Sequence, residues 1–191
     1  FNDRYQGIPI GGYTPIFEKM LKNCDVVLGA DYLDGRNEFS GYASKIVYTG
    51  AIDSYFDYCY EPLEYRSLRF EHKTLGIPNY QGVAVVNYTD DVTPYTDRET
   101  PYTRVIEHKH FEFGTQHNTV VSYEYPQKWE LGIDPYYPME DSVNRQRYLQ
   151  YKALADNQRN VFFGGRLGEY RYYDMQDTVK SALSKVEEWG I

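Results

Sequence analysis

The sequence predicts an α+β protein in which an antiparallel sheet is flanked along the chain by short strand-plus-helix stretches. Three observations predict it. From Glu64 to Pro126, alternating or β-branched runs are separated by turn residues. After Pro138 the apolar period lengthens to that of a helix. Outside the sheet region, apolar runs of strand length stop at glycine, as strands of an open α/β layer do.

The elements follow in order. "YTPIFEKMLKN" reads as a short amphipathic helix with Ile16, Met20 and Leu21 on one side. Just before it, "GIPIGGY" places Gly7, Gly11 and Gly12. A glycine turn at a helix start can hold phosphate. The spacing is not GxGxxG and no strand precedes it, so a structural turn is the better reading. "DVVLG" and "SKIVYTG" read as short strands ending at glycine, and "AIDSYFDY" follows the second. "EYRSLRFEHKT", "QGVAVVNYT", "TRVIEHKHFEF" and "NTVVSYEYP" then predict a meander with one polar, aromatic face. "SVNRQRYLQYKALADNQ" brings Val143, Tyr148, Tyr151 and Leu154 near helical spacing. "NVFFGGRLG" predicts a buried strand ending in a glycine pair. "DMQDTVKSALSKVEEWG" aligns Val179, Leu183 and Val186 on one stripe, with Gly190 suited to the helix end. Between the second and third sheet strands, Thr89–Tyr95 is followed by a near copy, Thr96–Tyr102. Both copies are polar and carry proline (Pro94 and Pro101), which predicts a loop. No longer period accompanies them, so a solenoid or propeller is excluded.

The chain of 191 residues suits one large domain or two small ones. A net charge of −8 argues against broad nucleic-acid or anionic-membrane binding, which needs a basic face. Cys24 and Cys59 stand alone, so a reducing compartment is expected. No apolar run reaches spanning length and no signal peptide is visible. The chain opens on Phe1 without a Met, and a piece of a longer protein is expected. There are 22 Tyr against 9 Phe, which fits wet clefts and strand faces alike and leaves both open.

Several residue groups can carry chemistry. "HKH" would put His108 and His110 on one face of a strand. His72 and His117 add no recognisable spacing, so packing or hydrogen bonding is favoured over a metal. Arg66 and Arg104 each open a strand beside a tyrosine, where a guanidinium can fork onto phosphate oxygens. A strand-edge salt bridge competes, and spacing alone favours it. Tyr136, Tyr137, Tyr172 and Tyr173 can line a cleft for a sugar or a ring cofactor, or pack an interface. Arg166 and Asp174 sit by a glycine-bearing strand end, a common site position in α/β sheets. No dinucleotide fingerprint occurs, so this chain alone is not expected to form an ordinary flavin or nicotinamide site.

"DRYQGIPIGGYT", "VYTGAIDSYFDY", "LEYRSLRFE", "VNYTD", "TPYTRVIEHKHF", "EYPQKWELGIDPYYP" and "FGGRLGEYRYYDM" closely resemble the bacterial UDP-galactopyranose mutases. They stand in the family's order over nearly the whole chain, and they match its C-terminal half; the N-terminal flavin fingerprint is absent. The resemblance implies an isomerase that interconverts UDP-galactopyranose and UDP-galactofuranose for cell-surface glycan and cell-wall synthesis. The N5 of reduced FAD would be the nucleophile at the anomeric carbon. It implies Arg104 and Arg66 as catalytic and diphosphate-binding residues. Asn87, Tyr137 and Tyr172 would be further substrate contacts, and Arg166, Asp174 and Met175 would lie on the flavin side, with no metal. Tyrosine excess would follow from a cleft shaped for a sugar nucleotide. Residues 1–19 and 61–140 would form the substrate-binding sheet region. Residues 20–60 and 141–191 would be segments of a discontinuous α/β FAD-binding domain. The resemblance further implies a cytoplasmic homo-oligomer as the full-length enzyme, with UDP-galactose as partner and neither nucleic acid nor membrane. The chain by itself is expected to be inactive. A non-catalytic, Tyr-rich module for nucleotide sugars or glycans and a purely structural fragment are the competing classes. The family carries one copy of the segment leading into Arg104, so the doublet reads as a tandem duplication taken up by a surface loop.

Overall fold

The computed structural model describes residues 4–88 and 100–190. Of the seven-residue doublet, the stretch 89–99 lies outside the described residues. The elements in chain order are α1 (Thr14–Met20), α2 (Arg36–Phe39), β1 (Ile46–Tyr48), α3 (Ile52–Tyr55) and β2 (Tyr65–Leu75). Then come β3 (Val85–Asn87), β4 (Arg104–Glu107), a 3-10 turn (His108–Glu112), β5 (Thr119–Lys128) and β6 (Tyr137–Pro138). The chain closes with α4 (Ser142–Asp156), β7 (Val161–Phe163), α5 (Gly165–Gly168) and α6 (Met175–Trp189). The class is α+β, with a five-stranded antiparallel sheet ordered β3-β4-β5-β2-β6 and a two-stranded parallel sheet β1-β7. The expected meander holds for β3, β4 and β5, but β2 enters between β5 and β6. This arrangement leaves the two shortest strands at the edges, where exposed ladder groups are fewest.

Two compact units divide the chain. The first comprises residues 1–29 and 68–126. Its core is Val105, Val121 and Tyr123, packed by Leu75, Tyr88, Tyr102 and Tyr125. Val105 lies opposite Tyr123 in the β4–β5 ladder, and the two-residue period sends Glu107 to the same buried side as Val105. "DVVLG" forms no strand: Val26, Val27 and Leu28 are exposed and pair with no neighbour among the described residues, and a lone extended segment has little to hold it. "HKH" does not continue β4. After Glu107 the chain turns into the 3-10 helix, which ends at Phe113 in the left-handed region (φ 53). Lys109 folds inward there and donates to the carbonyls of Pro78 and Gln116, satisfying a nearly buried ammonium. Gly11 and Gly12 (φ 82 and 81) make the turn ahead of α1, as a structural reading requires.

The second unit comprises residues 30–67 and 127–191. Ile52, Leu63, Tyr65, Tyr151, Ala155 and Tyr170 form its core, with Phe56, Trp129, Tyr148, Phe163 and Leu167 against them. Asp141 caps α4 by accepting from Asn144 N at 2.8 Å. The inward stripe of α4 runs Asn144, Tyr148, Tyr151, Ala155, while Val143 points to solvent. The reason is polar: Asn144 Oδ1 is needed to accept from Glu64 N (3.0 Å), which turns Asn144 inward and its neighbour Val143 out. β7 is half-buried rather than buried. Val179, Leu183 and Val186 share a face of α6 but are exposed. Gly190 closes α6 in the left-handed region (φ 62), as expected.

Candidate functional site

The sequence-predicted residues fall into two clusters, one in each unit, and each is described by itself. In the first unit, the antiparallel registers Asn87↔Arg104 and Arg104↔Glu124 set these residues in one row across β3, β4 and β5. Arg104 Nε donates to Asn87 Oδ1 at 2.9 Å, and Nη1 donates to Glu124 Oε2 at 3.2 Å. Thr103 Oγ1 donates to the other oxygen of Glu124 at 3.1 Å. Arg104 therefore takes the strand-edge ion pair that competed with phosphate binding in the sequence. Its side chain stays 41% exposed against 9% for Glu124, so the guanidinium keeps an open side. Glu124 was not singled out from the sequence, because only the ladder reveals that it faces Arg104. The neighbouring tyrosines pack on one another: Tyr88 and Tyr102 meet edge-on at 5.0 Å, and Tyr102 meets Tyr123 at 4.9 Å.

The histidines occupy separate environments. His72 Nδ1 and His108 Nε2 both lie 2.6 Å from the buried Ser122 Oγ. Burial, helped by the nearby His72, pushes the His108 pKa down. His110 instead pairs with Glu107 at 3.1 Å. Glu107 also accepts from Tyr80 N, Gln81 N and Thr119 Oγ1. Burial pushes its carboxyl up, but these donors outweigh burial and bring it down to about 2.

In the second unit, Arg66 on β2 pairs with Tyr137 on β6, and Tyr136 N donates to Arg66 O at 3.0 Å. Arg66 is exposed, and among the described residues no carboxylate meets its guanidinium. The chain leaves β7 through Gly164 and Gly165; the left-handed φ of 74 at Gly165 lets α5 begin at once and presents Arg166. Arg166 lies 4.9 Å from the ring centre of Tyr172 and 5.6 Å from that of Tyr137. Its Nη2 donates to Tyr136 O at 3.1 Å. Its Nε is buried with no partner among the described residues. Tyr137 and Tyr172 are 5.6 Å apart, and Tyr172 OH donates to Asp174 Oδ1 at 3.0 Å. That bond, then burial, raises the Tyr172 pKa and keeps the phenol protonated. Met175 opens α6 and is exposed, next to Asp174 at the cap position. Tyr173 packs under Arg171, 5.2 Å away, rather than joining the cluster.

The structure thus brings Arg166, Tyr137, Tyr172 and Asp174 together beside Arg66, and brings Asn87 to Arg104. A half-buried guanidinium packed against two phenol rings is suited to an anion such as a diphosphate. Part of the tyrosine excess lies in the two cores rather than in a cleft. Tyr48, Tyr55, Tyr65, Tyr123, Tyr151 and Tyr170 are buried, most with hydroxyls committed to neighbouring groups. Among the described residues no group of three or more His, Cys, Asp or Glu gathers as metal ligands would. No helix among them is long and apolar enough to cross a membrane.

Residues 1–172 match the family described as UDP-galactopyranose mutase. A "Probable UDP-galactopyranose mutase" of Klebsiella pneumoniae is 36% identical over 192 residues, covering 99% of this chain and 47% of the relative. A dTDP-fucopyranose mutase of Escherichia coli is 34% identical, covering 96% of this chain and 48% of the relative. The UDP-galactopyranose mutase of Mycoplasma pneumoniae is also 34% identical, with 96% and 48% covered. The chain spans about half the length of the curated relatives it matches.

Proposed function

Because the chain belongs to the UDP-galactopyranose mutase family, we propose that it is the C-terminal part of a flavin-dependent isomerase interconverting UDP-galactopyranose and UDP-galactofuranose. The observation that carries this reading is Arg166, a half-buried guanidinium packed against the rings of both Tyr137 and Tyr172. That guanidinium fits the flavin diphosphate, with Asp174 and Met175 at the start of α6. Bound and reduced, FAD supplies a nucleophilic nitrogen for the anomeric carbon. The chain's own residues bind and orient. Arg104 offers the open side of its guanidinium to the UDP diphosphate and stabilises charge on the leaving phosphate. Asn87, tied to Arg104, contacts the uridine. Arg66, which meets no carboxylate among the described residues, places a second positive charge at the sugar side. Tyr137 and Tyr172 contribute ring faces and hydroxyls to the diphosphate.

On this reading residues 1–19 and 61–140 belong to a substrate-binding region, and residues 20–60 and 141–191 to a discontinuous flavin-binding domain. The working enzyme is a cytoplasmic homo-oligomer acting in galactofuranose glycan synthesis. The test is a chimera in which residues 1–191 replace the matching half of the Klebsiella pneumoniae relative. With FAD and dithionite, chromatography should show UDP-galactofuranose converted to UDP-galactopyranose. Arg104→Ala should lower turnover about a hundredfold or more. No conversion by a folded, flavin-loaded chimera overturns the reading. The Escherichia coli relative supplies the competing substrate, and preferential conversion of dTDP-fucopyranose would move the assignment to that sugar nucleotide.

A further inference from the structure

Four of the proposed site residues sit on three separate stretches of the second unit: Arg66 on β2, Tyr137 on β6, and Arg166 and Tyr172 around the turn after α5. One buried side chain touches all three stretches. Tyr170 is 5% exposed, and its ring packs against Tyr65 at 5.3 Å and Tyr148 at 5.9 Å. Its hydroxyl donates to the Glu64 carbonyl, lies 3.0 Å from the Met139 carbonyl, and accepts from Met139 N at 3.0 Å. Glu64 and Met139 lie just beyond the β2–β6 pairs Tyr65↔Pro138 and Arg66↔Tyr137, and Met139 N also donates to Glu64 O at 3.0 Å. The phenol therefore locks the end of the ladder that carries Arg66 and Tyr137. Its own backbone is the turn between Arg166 and Tyr172, and Arg171 N donates to Arg166 O at 3.0 Å across it. At this turn Tyr170 has a φ of 43, a left-handed conformation that costs a non-glycine residue energy. That strain is tolerated because the hydroxyl and ring are held from several sides.

We infer that Tyr170 is a positioning residue: its hydroxyl sets the Arg66–Tyr137 strand pair in register with the Arg166–Tyr172 turn, and so aligns the charges that orient the bound sugar nucleotide. It touches neither substrate nor flavin itself. The inference rests on the function proposed above for the residues it aligns. Tyr151 provides an internal control. Its hydroxyl is likewise buried and bonds backbone, donating to Glu61 O at 2.8 Å and accepting from Tyr60 N at 3.0 Å. It ties only the approach to β2 and reaches no other site stretch.

The experiment compares Tyr170→Phe and Tyr151→Phe in the chimera. Both should lower the melting temperature, since each loses a buried hydroxyl bonded to backbone. Tyr170→Phe should lower kcat about tenfold or more, because small displacements of aligned charges are costly. Tyr151→Phe should keep kcat within about twofold, because it leaves the alignment alone. Equal kcat for both variants, or an equal fall in both, overturns the inference. A second measurement separates it from failure of the proposed function. In the 191-residue chain, hydrogen exchange at the Tyr136 and Met139 amides should quicken about tenfold in Tyr170→Phe, with the β1–β7 amides unchanged. Unchanged exchange at Tyr136 and Met139 sinks the positioning role even if the chimera proves inactive.

Discussion

Glu107 and Asp53 are both buried carboxyls, and their surroundings move them in opposite directions. Glu107 collects four donors, and its folded pKa lies below the ordinary 4.5, at about 2. Its contribution to stability is therefore complete above the ordinary value and is lost as pH falls through the folded one. Glu107→Gln should lower stability by about 2 kcal/mol at neutral pH and flatten the acid limb of a melting-temperature profile below pH 4.5. Burial pushes the Asp53 carboxyl up, against the bond from Leu63 N at 2.8 Å, and its Oδ1 has no partner among the described residues. Stability from this group is present below the ordinary carboxylate range and declines as pH rises through its folded value. Asp53→Asn keeps an acceptor for Leu63 N and removes the titration. Urea midpoints should then decline less from mildly acidic to neutral pH than in the parent chain. A steeper decline in the variant would contradict this sign.

At the scale of elements, exposure decides which apolar stripes matter to this chain. The α6 stripe reads as a core face in the sequence, yet Leu183 is 65% exposed while Ile52 in α3 is 1% exposed. Leu183→Ala should change stability by no more than about 0.5 kcal/mol. Ile52→Ala should cost about 2–5 kcal/mol, because it leaves a hole among Leu63, Tyr65 and Tyr151. Equal losses in denaturant unfolding would show that α6 is covered in solution. The α4 helix, the glycine stop of α6 and the strands β2 to β5 were legible, since each has a local cause in period or turn chemistry. The "HKH" turn and the missing "DVVLG" strand were not. Their sequences favour extension, and the outcome depended on ladder partners and on where Lys109 could satisfy its charge.

For the whole molecule, the proposed function makes this chain the part that grips the sugar nucleotide and one side of the flavin. The purified 191-residue chain should therefore retain no flavin absorbance after incubation with FAD and desalting, and should show no mutase turnover. Retained flavin would mean that the Arg166 cluster holds the cofactor without the fingerprint. The candidate residues themselves were named from motifs, and the structure joined Arg166 to Tyr137 and Tyr172 and Asn87 to Arg104. The sequence by itself determined the α+β class, the order of most elements, the family, and which arginines and tyrosines to examine. Those depend on local period and on motif words, which neighbouring residues carry. Only the tertiary structure decided that β2 inserts beside β6, that Glu124 holds Arg104, that six of the tyrosines are core, and that Tyr170 ties three site stretches together. Each of these is a pairing between residues far apart in the chain, set by which buried polar group finds a partner, and no local pattern encodes that choice.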